Sequence, residues 1–403
     1  MIYLFVLFML AILSFRYDIN GKTKNREFWY KLMLLFFILI AGLRWRIGID
    51  TPPYIYRFYH ECPSLDNWSL DGFSLTDSPL YDFVNSIVKS LGGRFYIVQL
   101  IHASFINILI FHFIKKYTRY IFTTLFFYAF LCYTTYNMEI MRGSLSIVIC
   151  LFANDYILEK KWIKGYLLYV IALLFHAQTI VMFILPLFFF LRFNRWGALA
   201  CIAAFLIGKM IMDIFGEYMF LLEADEGLAN KVSGYAESDT YGTQNGSFME
   251  LSYQIYIPIL YIVLSFLFVK MRCAYSKILK LEPFLLIGVC FLLVRANLEI
   301  AYRYVDYYKI YFALLFSEFF VEIIKRSDRL KIVLAYARSW IVFIPFFYIF
   351  AVRQYMLDGK GIKYRYVPYS SVIDKSISKE RELKYKELNA EKRFYPNANI
   401  NEY

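Results

Sequence analysis

The chain of 403 residues has no C-x-x-C pair, no Asp-x-Asp, no His-x-x-x-His, no paired carboxylates at a metal-binding spacing and no glycine-rich phosphate loop. The six cysteines are scattered, and four of them lie within apolar stretches, so neither a disulfide framework nor a zinc site is supported. Without a phosphate loop, an ATP-driven mechanism has no motif to rest on. No basic stretch precedes the first apolar run and no small-residue cleavage site follows it. The N-terminus therefore reads as an uncleaved first helix. Internal repeats and low-complexity runs are lacking as well.

Charge is also missing, and in blocks. The chain is 60% hydrophobic and 21% aromatic, against about 45–50% apolar for an ordinary soluble domain. Its uncharged windows reach the ~20 residues that a helix needs to cross the hydrocarbon core. A lipid-spanning segment must satisfy its own backbone, and these blocks lack the period-two alternation of barrel strands. The expected fold is an all-α polytopic integral membrane protein. Its candidate segments are Ile2–Phe15, Phe28–Arg44, Phe95–Ile114, Tyr120–Tyr136, Ile140–Leu158, Gly165–Phe175, Ala177–Leu191, Trp196–Phe215, Leu251–Val269, Pro283–Val294, Tyr304–Ile324 and Ile332–Ala351. That makes about 11–12 segments in a single domain, residues 1–352, followed by a charged soluble tail, residues 353–403.

The net charge of +12 sits in short loops between the apolar runs, which is the pattern of orientation signals and not of a nucleic-acid groove. Placing Arg16, Lys22, Lys24, Arg26 and Lys31 in the cytoplasm puts Lys115, Lys116, Arg119, Lys160, Lys161 and Lys164 there too. Later basic loops follow only if the stretch around His176 enters and returns as a hairpin with His176 at its outer tip. Two outer loops then result, residues 48–93 and 217–250, the first with an amphipathic helix over Tyr81–Leu91. The tail also falls outside.

The candidate chemistry gathers at the outer ends of the segments. Arg44 and Arg46 close one segment and lead into Gly48, Asp50, Thr51 and Tyr54. Glu139 and Arg142 open another. His176 stands alone among apolar residues, and Arg303 lies at an outer turn with Glu299. A guanidinium fork suits a diphosphate, and a histidine at a wet helix break can move a proton. The plainer alternatives are interfacial anchoring for Arg44 and Arg46, core packing for His176, and a helix-surface ion pair for Arg303 with Glu299. His102 and His112 read as structural.

The run Gly42-Leu43-Arg44-Trp45 through Gly48-Ile49-Asp50-Thr51 and Tyr54 resembles the EpsG-type members of the Wzy-like polysaccharide polymerases. So do Met141-Arg142 with Asp155-Tyr156 and Lys160-Lys161, Phe175-His176-Ala177, Tyr302-Arg303-Tyr304 and Tyr366-Val367-Pro368-Tyr369. The chain departs from the family's usual pattern at Gly143 and Ala177. The resemblance implies a GT-C-like architecture in a bacterial inner membrane, with the active face periplasmic or extracellular. It implies glycosyl transfer between undecaprenyl-diphosphate-linked oligosaccharides, donor and acceptor, in O-antigen, capsule or exopolysaccharide biosynthesis. Arg142 and His176 would be catalytic, and Arg44, Arg46, Asp50, Thr51, Tyr54 and Arg303 would bind substrate. No metal and no cofactor are expected. Membrane lipid and a chain-length regulator are the further candidate partners, and nucleic acid is not one. The rival readings are a flippase or transporter for the same lipid-linked sugar, an O-antigen ligase and a membrane acyltransferase.

Overall fold

The computed structural model describes residues 2–48, 50–67, 78–218, 259, 261–265, 277–295, 297–298, 301–325, 366–376, 379 and 381–383. The outer loop expected beyond residue 218, the segment Ile332–Ala351, most of Leu251–Val269, most of the tail, and Glu299 lie outside them.

The described residues are helical: α1 (Ile2–Leu13), α2 (Arg26–Gly42), α3 (Thr51–Tyr56), α4 (Pro79–Ser90), α5 (Phe95–Tyr117), α6 (Ile121–Tyr128), α7 (Met141–Leu158), α8 (Trp162–Phe175), α9 (Arg195–Tyr218), α10 (Glu282–Arg295), α11 (Tyr302–Asp306) and α12 (Lys309–Lys325). No β-strand occurs among them, only an isolated bridge between Arg44 and Ser371. Among the described residues, three stretches are long and apolar enough to cross a membrane: Ile2–Ile19, Phe95–Tyr117 and Met141–Leu158. Shorter apolar helices are Ile121–Tyr133, Trp162–Phe175 and Ala177–Phe188. The path after α6 continues through π-turns at Ala129–Tyr133 and Thr135–Glu139. Large apolar side chains stay outside, among them Leu4, Phe8, Phe28, Ile163 and Leu167, as expected where hydrocarbon is the solvent.

The chain divides into two compact units, residues 1–183 with 316–403, and residues 184–315. In the first unit, helices pack closely where glycine removes a side chain. A Cβ at Gly42 would lie 2.6 Å from Leu100 Cδ1, and one at Gly165 would lie 2.4 Å from Ile157 Cγ1. These two positions set the close approach of α2 to α5 and of α7 to α8.

This unit has two distinct ends. One gathers the termini of α1, α5, α7 and α12. Asp18 pairs with Arg26 at 3.3 Å, Lys115 with Glu27 at 2.9 Å, Lys116 with Asp155 at 2.9 Å and Arg119 with Glu322 at 3.3 Å. The opposite end gathers the close of α2, the starts of α5 and α7, and the close of α8. At the last of these the chain turns at His176 and runs back along α8 as a 3-10 helix, Ala177–Phe183. Tyr166 donates a hydrogen bond to the carbonyl of Phe183 at 3.3 Å, and the Tyr169 and Phe183 rings meet at 5.6 Å. The stretch therefore doubles back, with His176 at its tip.

In the second unit α9 packs on α10. Phe193 N–H donates to Glu282 at 2.8 Å, and Phe284 stacks on Tyr311 at 4.7 Å.

Candidate active site

The site begins where α2 stops. After Gly42 the Arg44 side chain folds back into the unit and is fully buried. Its Nη1 donates to the Ala41 carbonyl at 2.7 Å and its Nη2 to Met141 Sδ at 3.4 Å, while its Nε has no partner. The next residues run alongside residues 370–372. Trp45 N–H donates to the Ser370 carbonyl at 2.9 Å, and Val372 N–H to the Leu43 carbonyl at 2.8 Å. Arg46, also buried, sits over the Trp45 ring at 5.4 Å.

Gly48 then lets the loop lie on the backbone of the neighbouring π-turn. Its φ is 98°, and a Cβ there would stand 2.1 Å from the Met138 carbonyl oxygen. Both observations exclude any other residue without a shift of the loop. Thr51 Oγ1 donates to the Ile47 carbonyl at 2.5 Å, and Asp50 N–H to Glu139 Oε2 at 3.3 Å. Prolines 52 and 53 occupy the first turn of α3, where their missing N–H groups cost nothing.

The start of α7 faces this loop. Met141 is a buried hub: its sulfur receives Arg44 and, at 3.9 Å, the Tyr81 hydroxyl. Its carbonyl lies 3.1 Å from His102 Nε2. His102 Nε2 also lies 2.9 Å from Ser144 Oγ, so this histidine fastens α5 to α7. Arg142, the next residue, is only partly buried. Its Nη1 donates to Ser78 Oγ at 3.3 Å, its guanidinium sits over the Tyr54 ring at 5.8 Å, and its Nε has no partner. Burial raises the Tyr54 phenol above its usual value, with Arg142 pulling the other way. The ring that Arg142 meets is thus a neutral phenol and not a compensating anion.

His176 reaches the same place from α8. A Cβ at Gly143 would lie 3.5 Å from His176 Cδ2 and 3.7 Å from its Nε2. The ring Nε2 lies 3.0 Å from Gln178 Oε1. The imidazole therefore packs beside Gly143, next to the Arg142 turn.

The amphipathic segment read over Tyr81–Leu91 is α4, and it brings Tyr81 from its first turn and Ser78 from the residue before it. It is held by a bidentate pair. Arg57 Nε donates to Asp82 Oδ1 at 2.7 Å and its Nη2 to Oδ2 at 2.5 Å. Hydrogen bonding to Asp82 raises the Arg57 pKa.

Seven of the residues singled out from the sequence thus gather at one end of the first unit: Arg44, Arg46, Asp50, Thr51, Tyr54, Arg142 and His176. Arg303, the second residue of α11, belongs to the second unit. Three features had no signal in the sequence: the Ser78 contact to Arg142, the Tyr81 contact to Met141, and the return of the C-terminal segment. Tyr366 donates to Glu139 Oε1 at 2.6 Å, and Tyr369 to the Ile40 carbonyl at 3.0 Å.

Neither a curated protein nor a solved structure matches the chain. The sequence model of the EpsG family matches residues 27–371, which takes in Arg44 through Tyr54, Arg142, His176 and the returning segment as far as Ser371. With helices fit to cross a membrane and this match over most of its length, the chain is a membrane protein that belongs to the EpsG family, of polysaccharide-polymerase type.

Proposed function

We propose that the protein joins sugar repeat units carried on undecaprenyl diphosphate, working at the outer face of the bacterial plasma membrane within a GT-C-like helical frame. A hydroxyl of the acceptor unit attacks the anomeric carbon of the donor's reducing-end sugar. The bond from that carbon to the diphosphate oxygen breaks, and undecaprenyl diphosphate leaves with the electron pair. His176 takes the proton of the attacking hydroxyl. Arg142 meets the negative charge that grows on the departing diphosphate, and because its fork is already in place it stabilises that charge without reorganisation.

One observation carries this reading. Arg142 is a partly buried guanidinium whose Nε is unpaired, whose aromatic neighbour is neutral, and which has no carboxylate partner among the described residues. A cation held this way is suited to an anionic ligand. Arg44 supports the same end from beneath, with its two Nη groups spent on Ala41 and Met141. Asp50, Thr51, Tyr54 and Arg46 shape the wall.

The test is polymer formation by the purified protein on its lipid-linked repeat unit, with folding followed by thermal melting. Replacing His176 with Gln keeps a hydrogen-bonding group but removes the proton acceptor. General base catalysis is worth about 10²–10⁴-fold, so the well-folded variant should be slower by that order. A well-folded His176→Gln protein with near-normal rates removes the proton-transfer role. Wild-type protein that moves the lipid-linked sugar across a bilayer without forming a glycosidic bond overturns the polymerase reading in favour of a flippase.

A further inference from the structure

The Glu139 carboxylate lies at a joint. It ends the π-turn Thr135–Glu139, and Ile140 breaks the helical path with φ −85° and ψ 58° before α7 begins at Met141. Ile140 N–H still bonds back to the Thr135 carbonyl at 3.1 Å, and the Ile140 carbonyl already accepts from Ser144 N–H at 2.7 Å. Between those two bonds no continuous helical ladder sets the direction in which α7 departs. Side-chain tethers must set it instead, and Arg142 is only two residues into the new helix.

Glu139 supplies the tethers, and both of its oxygens are engaged. Oε2 accepts from Asp50 N–H at 3.3 Å, which draws in the loop after Gly48. Oε1 accepts from the Tyr366 hydroxyl at 2.6 Å, which draws in a segment 227 residues away in sequence. Glu139 is buried, at 6% exposure, where a carboxylate is costly without such donors.

The Tyr366 end is itself anchored. Ser370 and Val372 bond to the backbone of Trp45 and Leu43. Arg381, 1% exposed, donates to Ser370 Oγ at 3.1 Å and to the Pro368 carbonyl at 2.5 Å. Lys375 sits over the Trp45 ring at 5.2 Å. The segment is held at several points, so Tyr366 is a fixed post and not a swinging chain end.

We propose that Glu139, acting through Tyr366, is a positioning residue that sets where Arg142 stands relative to the Asp50 loop, and that residues 366–372 are a working part of the active site. The inference rests on the reading of Arg142 as the diphosphate-binding group. An ångström of displacement of a binding group can cost on the order of 10²-fold in rate. Tyr366→Phe removes the hydroxyl and leaves the ring, so kcat should fall about 10- to 100-fold with KM little changed. Glu139→Gln keeps an acceptor oxygen and should be milder than Glu139→Ala.

The experiment uses full-length protein, with four measurements on each variant: melting temperature, kcat, KM, and equilibrium binding of undecaprenyl diphosphate. Support consists of a kcat loss per folded molecule for Tyr366→Phe, weaker undecaprenyl diphosphate binding, and a double variant with Glu139→Gln that loses less than the sum of the singles. A lowered melting temperature with kcat and binding unchanged overturns it, because the contact would then only hold the fold together. Should wild-type protein form no polymer while Tyr366→Phe still weakens undecaprenyl diphosphate binding, the polymerase reading fails and the positioning role survives. If binding is also untouched, the positioning role fails on its own account.

Discussion

The two ends of the first helical unit treat cations in opposite ways. At one end Arg26, Lys115, Lys116 and Arg119 each have a carboxylate within 3.3 Å, and hydroxyls reinforce the pairs. Thr118 donates to Glu318 at 2.8 Å, Tyr120 to Glu322 at 2.9 Å, and Tyr117 to Asp155. At the other end Arg44 is given a carbonyl and a thioether, and Arg142 a hydroxyl and an aromatic face. At that same end Arg57 is paired with the Asp82 carboxylate, which joins the close of α3 to α4. A cation whose charge is matched inside the protein holds elements together. A cation whose hydrogen-bond partners are neutral, as those of Arg142 are, is suited to an anionic ligand.

That contrast is sharpest at Arg142. Arg142→Ala should abolish polymer while lipid-linked repeat units accumulate, as read by gel analysis of polymer and chromatography of the lipid fraction. Arg142→Lys keeps the charge and loses the planar fork, so it should also be strongly impaired. Normal polymer from a folded Arg142→Ala protein would make this residue structural and erase the difference between the ends.

Arg57 gives the internal control at the same end. Its bidentate partner Asp82 predicts a stability effect. Arg57→Ala should lower unfolding free energy by roughly 1.5–3 kcal/mol, the range for hydrogen bonds to charged groups, with kcat per folded molecule preserved. Loss of catalysis without loss of stability would place Arg57 among the substrate contacts and blur the division.

Much of this division was readable beforehand, and the reason is physical. Basic residues in short loops report orientation, and following them through the chain sends Arg44, Arg142 and His176 to one end and Lys115, Lys116 and Arg119 to the other. The same bookkeeping required a turn at His176, and the chain does double back there. The spacing of Phe83, Val84, Ile87, Val88 and Leu91 marked the helix that the structure forms as α4. Other features carried no local signal. Whether Arg44 reaches outward or folds back to Ala41 depends on a methionine 97 residues away. The π-turns after α6 depend on packing, not on any residue that breaks a helix. Residues 353–403 read as a soluble tail because they are charged, yet Tyr366, Ser370 and Arg381 in that stretch make buried contacts at the site end.

The smallest effects belong to the end where charges are matched. The Arg119–Glu322 pair is well exposed, with Arg119 at 72% and Glu322 at 40%. Exposed pairs contribute about 0–1 kcal/mol. Arg119→Ala should therefore leave the melting temperature nearly unchanged and polymer yield near normal. A large loss of activity would show that this end also takes part in the chemistry.

The most direct test of the contrast is the equilibrium binding of undecaprenyl diphosphate to purified wild type, Arg142→Ala and Arg119→Ala in the same detergent and salt. The account predicts that Arg142→Ala weakens binding by about 10- to 100-fold, the loss of one or two charge-assisted hydrogen bonds, and that Arg119→Ala binds as wild type. Equal affinity for all three proteins, or a loss confined to Arg119→Ala, would contradict it.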